Sequence, residues 1–389
     1  MAGHKKKRPT GRQRRKRKLI LFIVEILILV ILLGGLFVSS KLNLINRKDL
    51  NKDKLGFNDD MDEAVKLKLE GYTNIALFGL DNRDKNNYGH GRSDVIMICS
   101  INNETKEIKM TSVYRDTFLN TAAADESPNF TKANAAYSKG GPEQAISMLN
   151  RNLDLEIKDY VTFDFTAVSE AIDVLGGVEI DLDEEELEYM RKYVDHTNGI
   201  LGTDSDSQKF THPGTYTLDG VQAVAYARIR YTSGGDFKRA ERQREVFSQM
   251  MKKAKSADLS TLNKLMDEVF PDISTNLSQS RMLSMVWTLL DYDMGDSRGF
   301  PFDKIAPQKS IGSKGQVVIP CDLVSNVTQL HEFLFENDAY VPSATVQDYN
   351  YRIINETGYG AEDAITDNFN NVDEFDSSGS DTDNTTDKE

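Results

Sequence analysis

From Leu19 to Val38 the chain runs for twenty residues without a polar side chain other than Glu25; Gly34 and Gly35 are the remaining non-bulky positions. At about 1.5 Å of helical rise per residue, such a run spans a hydrocarbon core of about 30 Å. It is longer than the apolar core of a signal peptide and lacks a small-residue cleavage site. The expectation is one permanent transmembrane helix over 19–38, a signal anchor. Residues 1–18 hold ten Lys or Arg and no acid, while the rest carries 37 basic against 61 acidic residues, a net of −24. The positive-inside rule then places 1–18 in the cytoplasm as a basic arm and everything after Ser40 outside, a single-pass cell-membrane topology. A basic run abutting such a span is an orientation signal attracted to anionic lipid, so no nucleic-acid partner is expected. Glu25 lies shallow enough to reach Lys18 and the headgroups, or to mark a helix–helix contact.

The body is long enough to bury a full core. Cys99 and Cys321 are too few for a disulfide framework, and no Cys/His spacing fits zinc. Residues 39–71 are polar and lysine-rich and read as a stalk. An extracytoplasmic catalytic domain is expected over 72–346. Asn74–Leu80, Asp94–Ile101, Ile108–Val113, Tyr160–Phe165 and Val178–Leu182 have strand character. Pro142–Leu155, Thr166–Leu175 (ending at Gly176-Gly177), Arg239–Ala254, Leu277–Met294 and Leu330–Phe335 have helical spacing. Strands alternating with helices predict an α/β (α+β) fold with a central mixed β-sheet flanked by helices. Residues 347–389 read as an acidic tail, disordered from Glu362 onward.

Chemistry concentrates at strand ends. The first strand runs into Asp81-Asn82-Arg83 and the second is entered through Gly91-Arg92-Ser93-Asp94. Adjacent strands lie about 4.8 Å apart, so Asp81 and Asp94 are placed to share one divalent ion. Carboxylates without His or thiolate select magnesium, with manganese or calcium as alternatives; two acids plus substrate phosphates is the usual magnesium arrangement. Pairing of these acids with Arg83 and Arg92 is the competing explanation. The third strand runs into Tyr114-Arg115-Asp116. Farther on, Arg228-Ile229-Arg230 precedes Asp236, Arg239, Arg242 and Gln243. Arg228 and Arg230 share a face if the segment is extended, and Arg239 and Gln243 share one if Asp236 caps a helix. Guanidinium forks suit phosphate, and a helix N-terminus favours the same anion.

Taken in order, Leu80-Asp81-Asn82-Arg83, Gly91-Arg92-Ser93-Asp94, Ser112 to Asp116, Lys132 to Tyr137, Asp173 to Val178, and Tyr226 through Arg230 and Gly235 to Gln243 resemble the LytR-CpsA-Psr family of cell-wall glycopolymer transferases. The match covers about residues 72–250. Tyr114 stands where that family usually has proline, and Lys238 where it often has glycine. The resemblance implies a Mg²⁺-dependent phosphotransferase that moves a glycopolymer (teichoic acid, capsule or a similar polysaccharide) from an undecaprenyl-pyrophosphate-linked donor to peptidoglycan, at the outer face of a Gram-positive-type membrane. Carried over by position, Asp81 and Asp94 are the metal-associated acids. Arg115, Arg228, Arg230, Arg239 and Gln243 hold the diphosphate, Arg83 and Arg92 join them in binding substrate, and Asp236, in the same substrate-binding set, orients the arginines. The catalytic set is Asp81, Asp94, Arg115 and Arg228. An apolar slot for the lipid tail falls on Phe163, Phe165, Val168, Ile172 and Leu175, positions an ordinary core explains equally well. A polyprenyl-pyrophosphate pyrophosphatase and a non-catalytic lipid-binding regulator are the alternatives, the latter disfavoured because lipid binding needs no paired acids.

Overall fold

The computed structural model describes residues 39–81, 88 and 91–365. The basic arm, the apolar run, Arg83 and the chain after 365 lie outside these residues. No helix among the described residues is long and apolar enough to cross a membrane.

The strands are β1 (Asn46–Arg47), β2 (Tyr72–Leu80), β3 (Ser93–Asn102), β4 (Glu107–Val113), β5 (Phe118–Asn120), β6 (Phe130–Lys132), β7 (Asp159–Asp164), β8 (Val178–Leu182), β9 (Gly214–Leu218), β10 (Ile273–Thr275) and β11 (Asp293–Phe300). Seven form one sheet in the order β1-β10-β7-β2-β3-β4-β11. β2, β3 and β4 are an antiparallel meander, whereas β7 lies parallel to β2 and β11 parallel to β4. The sheet is therefore mixed and flanked by helices, as the alternation of elements predicts.

Its central strands are apolar on both faces because both are covered. Along β2, Ile75 and Leu77 enter one core while Ala76, Phe78 and Leu80 enter the other. Along β3, Val95, Met97, Cys99 and Ile101 share the first face, and Ile96 and Ile98 the second. The period of two thus splits each strand between two layers. The larger layer is built on helices Asn134–Leu153, Leu323–Phe335 and Ala344–Thr357. The smaller is closed by Phe247 and Met251 of helix Gly235–Ser256. A third cluster, around Ile172, Met190, Val194 and Ala225, joins helices Phe165–Val174, Glu184–Leu201 and Gly220–Arg228 to the β8–β9 pair.

Several expectations need correction. Residues 39–71 do not stand off as a stalk: Leu42, Leu55, Met61, Val65 and Leu69 are buried, and β1 pairs with β10 at the sheet edge. Order continues past Val346, because helix Ala344–Thr357 packs Tyr349 and Ile353 into the main core. Val178–Leu182 is a strand, but it pairs with β9 outside the central sheet. The helical reading of Leu277–Met294 holds only for Gln279–Trp287, after which the chain forms β11. Pro142 does open a helical segment, directly after a kink at Gly140-Gly141.

Candidate active site

Leu80 pairs with Ser93 and Gly79 with Val95, so the β2–β3 register skips Asp94. Asp94 is thus the extra residue of a β-bulge, a device that re-aims a side chain at a sheet end. Asp81 follows Leu80 directly at the same end and is exposed. β4 runs to Val113, which sets Arg115 beside the bulge: Arg115 Nη1 donates to Asp94 Oδ1 at 3.0 Å. The second Asp94 oxygen lies 3.4 Å from Arg230 Nη2. Burial pushes the Asp94 carboxyl up, but the guanidiniums of Arg115, Arg239 and Arg230 together outweigh it and hold the group below its ordinary range.

Helix Gly235–Ser256 closes the site from the smaller layer. Its N-cap is Gly234, in the left-handed region at φ 85°, and no side chain caps it. Asp236 is therefore not the cap but a first-turn residue, and from there it pairs with Arg239 at 2.9 Å and faces Arg115 Nε at 3.6 Å. Arg239 is buried, and desolvation lowers its pKa to about 10 despite Asp236. Arg239 Nε and Arg115 Nε are both buried without a hydrogen-bond acceptor. Asp116 adds an ion pair with Lys132 at 2.9 Å and lies 3.5 Å from Arg115 Nε.

Arg228 and Arg230 reach the site by a different route from the one the sequence implies. Arg228 is the last residue of helix Gly220–Arg228, not part of an extended run. Ile229 is fully buried between the two half-exposed arginines, so the alternation survives at the helix end. That helix starts from an Asp219–Gln222 capping box and presses Gly220 against Ser169, where a Cβ would sit 2.0 Å from the carbonyl oxygen. Its docking, and so the placement of Arg228, demands glycine there. Arg228 lies over the Phe165 ring at 5.0 Å and donates to Thr197 Oγ1 at 3.0 Å. Burial lowers its pKa, opposed first by the charge of Asp81, which places Asp81 within electrostatic reach.

Two nearby residues are supports. Arg242 is fully buried, paired with Glu186 at 2.8 Å, and donates to Ile229 O and Thr232 Oγ1, which fixes the backbone around Arg230. Gln243 donates to Ala227 O at 3.4 Å, one residue before Arg228. Arg92 is exposed where β3 begins. Of the apolar positions, Ile172 is core, Val168 packs against the same cluster, Phe163 bridges two others, and Phe165 lies under Arg228. The sequence reading missed Lys132 as the partner of Asp116, although both fall in motifs it singled out. It had no signal for Glu186 or Thr197, which lie on a helix it did not expect.

Two carboxylates at neighbouring strand ends, interleaved with Arg115, Arg228, Arg230 and Arg239, can hold a multivalent anion bridged by a cation. Each carboxylate has about four lone-pair sites, so the contacts of Asp94 leave capacity for a metal. No three His, Cys, Asp or Glu side chains cluster as a metal cage among the described residues. Two carboxylates would leave a cation to draw its remaining ligands from substrate oxygens, an arrangement magnesium often takes.

The LytR_cpsA_psr family model matches residues 38–295. Biofilm regulatory protein A of Streptococcus mutans is 30% identical over 228 residues, covering 56% of this chain and 52% of that protein. The polyisoprenyl-teichoic acid–peptidoglycan teichoic acid transferase TagV of Bacillus subtilis is 28% identical over 265 residues, covering 67% of this chain and 63% of its own length. The chain thus spans about half of the first relative and under two thirds of the second. The crystal structure of B. subtilis TagV shares the fold, with a TM-score of 0.53 at 24% identity over 70% of this chain and 98% of that one. With a family model matched over about two thirds of its length, the chain belongs to the LytR_cpsA_psr family.

Proposed function

We propose that this protein is a membrane-anchored phosphotransferase that moves a glycopolymer from a polyprenyl-pyrophosphate-linked donor to peptidoglycan on the outer side of the cell membrane. The observation that carries the reading is the set of arginines around Asp94, among which Arg239 Nε is buried without an acceptor. A buried donor without a partner costs about 1–3 kcal/mol, and a diphosphate oxygen supplies the missing acceptor. The name of the B. subtilis relative, a teichoic acid transferase, supports the same chemistry.

The acceptor hydroxyl oxygen attacks the phosphorus that bears the sugar. The bond from that phosphorus to the bridging oxygen breaks, and polyprenyl phosphate leaves with the electron pair. The hydroxyl proton passes to Asp81 or to a phosphate oxygen. Arg115, Arg228, Arg230 and Arg239 hold the outer oxygens and stabilise the charge that develops. Asp81 and Asp94 would hold Mg²⁺, which would supply positive charge against the diphosphate as its P–O bond breaks.

Full-length protein in vesicles, given a radiolabelled polyprenyl-diphosphate glycan and peptidoglycan, should move label into peptidoglycan, and Asp81→Ala and Asp94→Ala should each abolish this while the fold is retained. Label released to water instead would make the protein a pyrophosphatase. Wild-type rates in both variants at limiting Mg²⁺ would remove the metal role.

A further inference from the structure

The surface where the chain leaves its apolar run carries apolar side chains that no core accounts for. Helix Leu259–Val269 has two stripes. Leu265 and Val269 pack with Ala167 and Ala171. Leu259, Leu262 and Met266, at i, i+3 and i+7, form a second stripe beside the first. Leu259 is 86% exposed and Leu262 and Met266 are half-buried. Leu290, 72% exposed, lies in the turn Leu289–Asp291. Lys255 bonds Tyr292 O and pairs with Asp293 at 2.9 Å, tying that turn to the helix end just before Leu259. Leu44 is 40% exposed between the buried Leu42 and Ile45.

The same surface is fastened to the start of the described chain. Lys41 pairs with Asp267 of helix Leu259–Val269 at 2.5 Å, and Gln279 bonds Asn43. Leu42 and Ile45 pack with Leu277 and Met282. Lys41 follows Val38 by three residues, a reach of about 11 Å even when extended. If residues 19–38 span the bilayer, Asp267 and its helix sit within roughly that distance of the interface. Single exposed leucines are ordinary; several on segments fastened to one another and to the start of the described chain are not.

We propose that Leu44, Leu259 and Leu290, with the Leu262–Met266 stripe, form a lipid-docking surface that seats the domain on the outer leaflet instead of leaving it on a loose tether. The inference rests on the anchored-transferase reading and adds an orientation to it. The local charges are mixed: Lys252, Lys253 and Lys264 alternate with Asp258, Asp267, Glu268, Asp291 and Asp293. Contact is therefore driven by apolar burial, with each fully buried leucine worth about tenfold or more in partitioning.

The test uses the full chain in vesicles of phosphatidylethanolamine and phosphatidylglycerol. Cys99 and Cys321 are buried, so an environment-sensitive thiol label will report Leu259→Cys, Leu290→Cys or, as a control over the opposite layer, the exposed Tyr351→Cys. The labels at 259 and 290 should be quenched by doxyl lipids and shielded several-fold from aqueous iodide relative to 351. The double variant Leu259→Asp/Leu290→Asp should lose shielding of a label at Leu44→Cys. Protein that floats with the vesicles but exposes 259 and 290 as freely as 351 overturns the docking and leaves the anchor standing. Protein that does not float overturns both. Shielding that persists in detergent and grows with protein concentration assigns the patch to a second copy and also overturns the proposal. Diphosphate affinity in detergent reports the transferase reading separately.

Discussion

Arg239 is held in the folded protein against its own solvation. Burial lowers its pKa to about 10, and its Nε lacks an acceptor. An anion that enters beside it should relieve both penalties and stabilise the fold. Inorganic pyrophosphate at about 100 times its Kd should add about 2.7 kcal/mol, read as a rise in Tm of several degrees in calorimetry. Arg239→Ala should abolish the rise, and an unchanged Tm in the wild type would contradict the anion site. Asp94 has the opposite sign. Its folded pKa lies below that of the unfolded chain, so its contribution is present above about pH 4 and is lost as pH falls through the folded value. Asp94→Asn should therefore flatten the loss of stability as pH falls below about 4 in urea titrations. The acids and arginines themselves were legible in the sequence, because charge at strand ends in an otherwise apolar pattern stands out. The Asp94 bulge was not, since a one-residue register slip leaves no mark on periodicity.

Among the elements, the Arg242–Glu186 pair links helix Gly235–Ser256 to helix Glu184–Leu201, with both side chains at 4% exposure or less. Removing one member of such a pair costs about 3–5 kcal/mol, so Arg242→Ala should lower the unfolding free energy from urea titration by that amount. Because Arg242 also bonds Ile229 O and Thr232 Oγ1, diphosphate affinity should fall too. The apolar double replacement Arg242→Met/Glu186→Leu should recover stability but not affinity; recovery of both would make the pair purely structural. The central strands β2, β3 and β4 were readable because both faces are covered and the runs are apolar throughout. β11, Asp-Met-Gly-Asp-Ser-Arg-Gly-Phe, was not: it is polar, holds two glycines, and is a strand only because β4 offers it an edge. β1 is two residues long, and nothing local distinguishes it from the lysine-rich chain around it.

For the whole molecule, the proposed transfer depends on the proposed membrane anchor and on which side of it the site lies. External protease on intact cells should remove the domain while an N-terminal tag stays protected; a cleaved tag with a surviving domain would put the donor on the wrong side. Only residues 39–45 separate the apolar run from β1, and β1 is itself a strand of the sheet that carries Asp94. A flexible insert of about 40 Gly/Ser residues after Val38 has an r.m.s. span of about 35 Å, and combined with Leu259→Asp/Leu290→Asp, which frees the domain from the lipid surface, it should spread newly attached polymer deeper into isolated walls without changing turnover on a soluble acceptor. With the native link there is almost no slack. A domain of this size is about 50 Å across, so its working radius is its own width. Under the proposed anchoring and transfer, glycan strands would be decorated while they are young and close to the membrane, and once growth has carried them outward they would keep whatever polymer they already have.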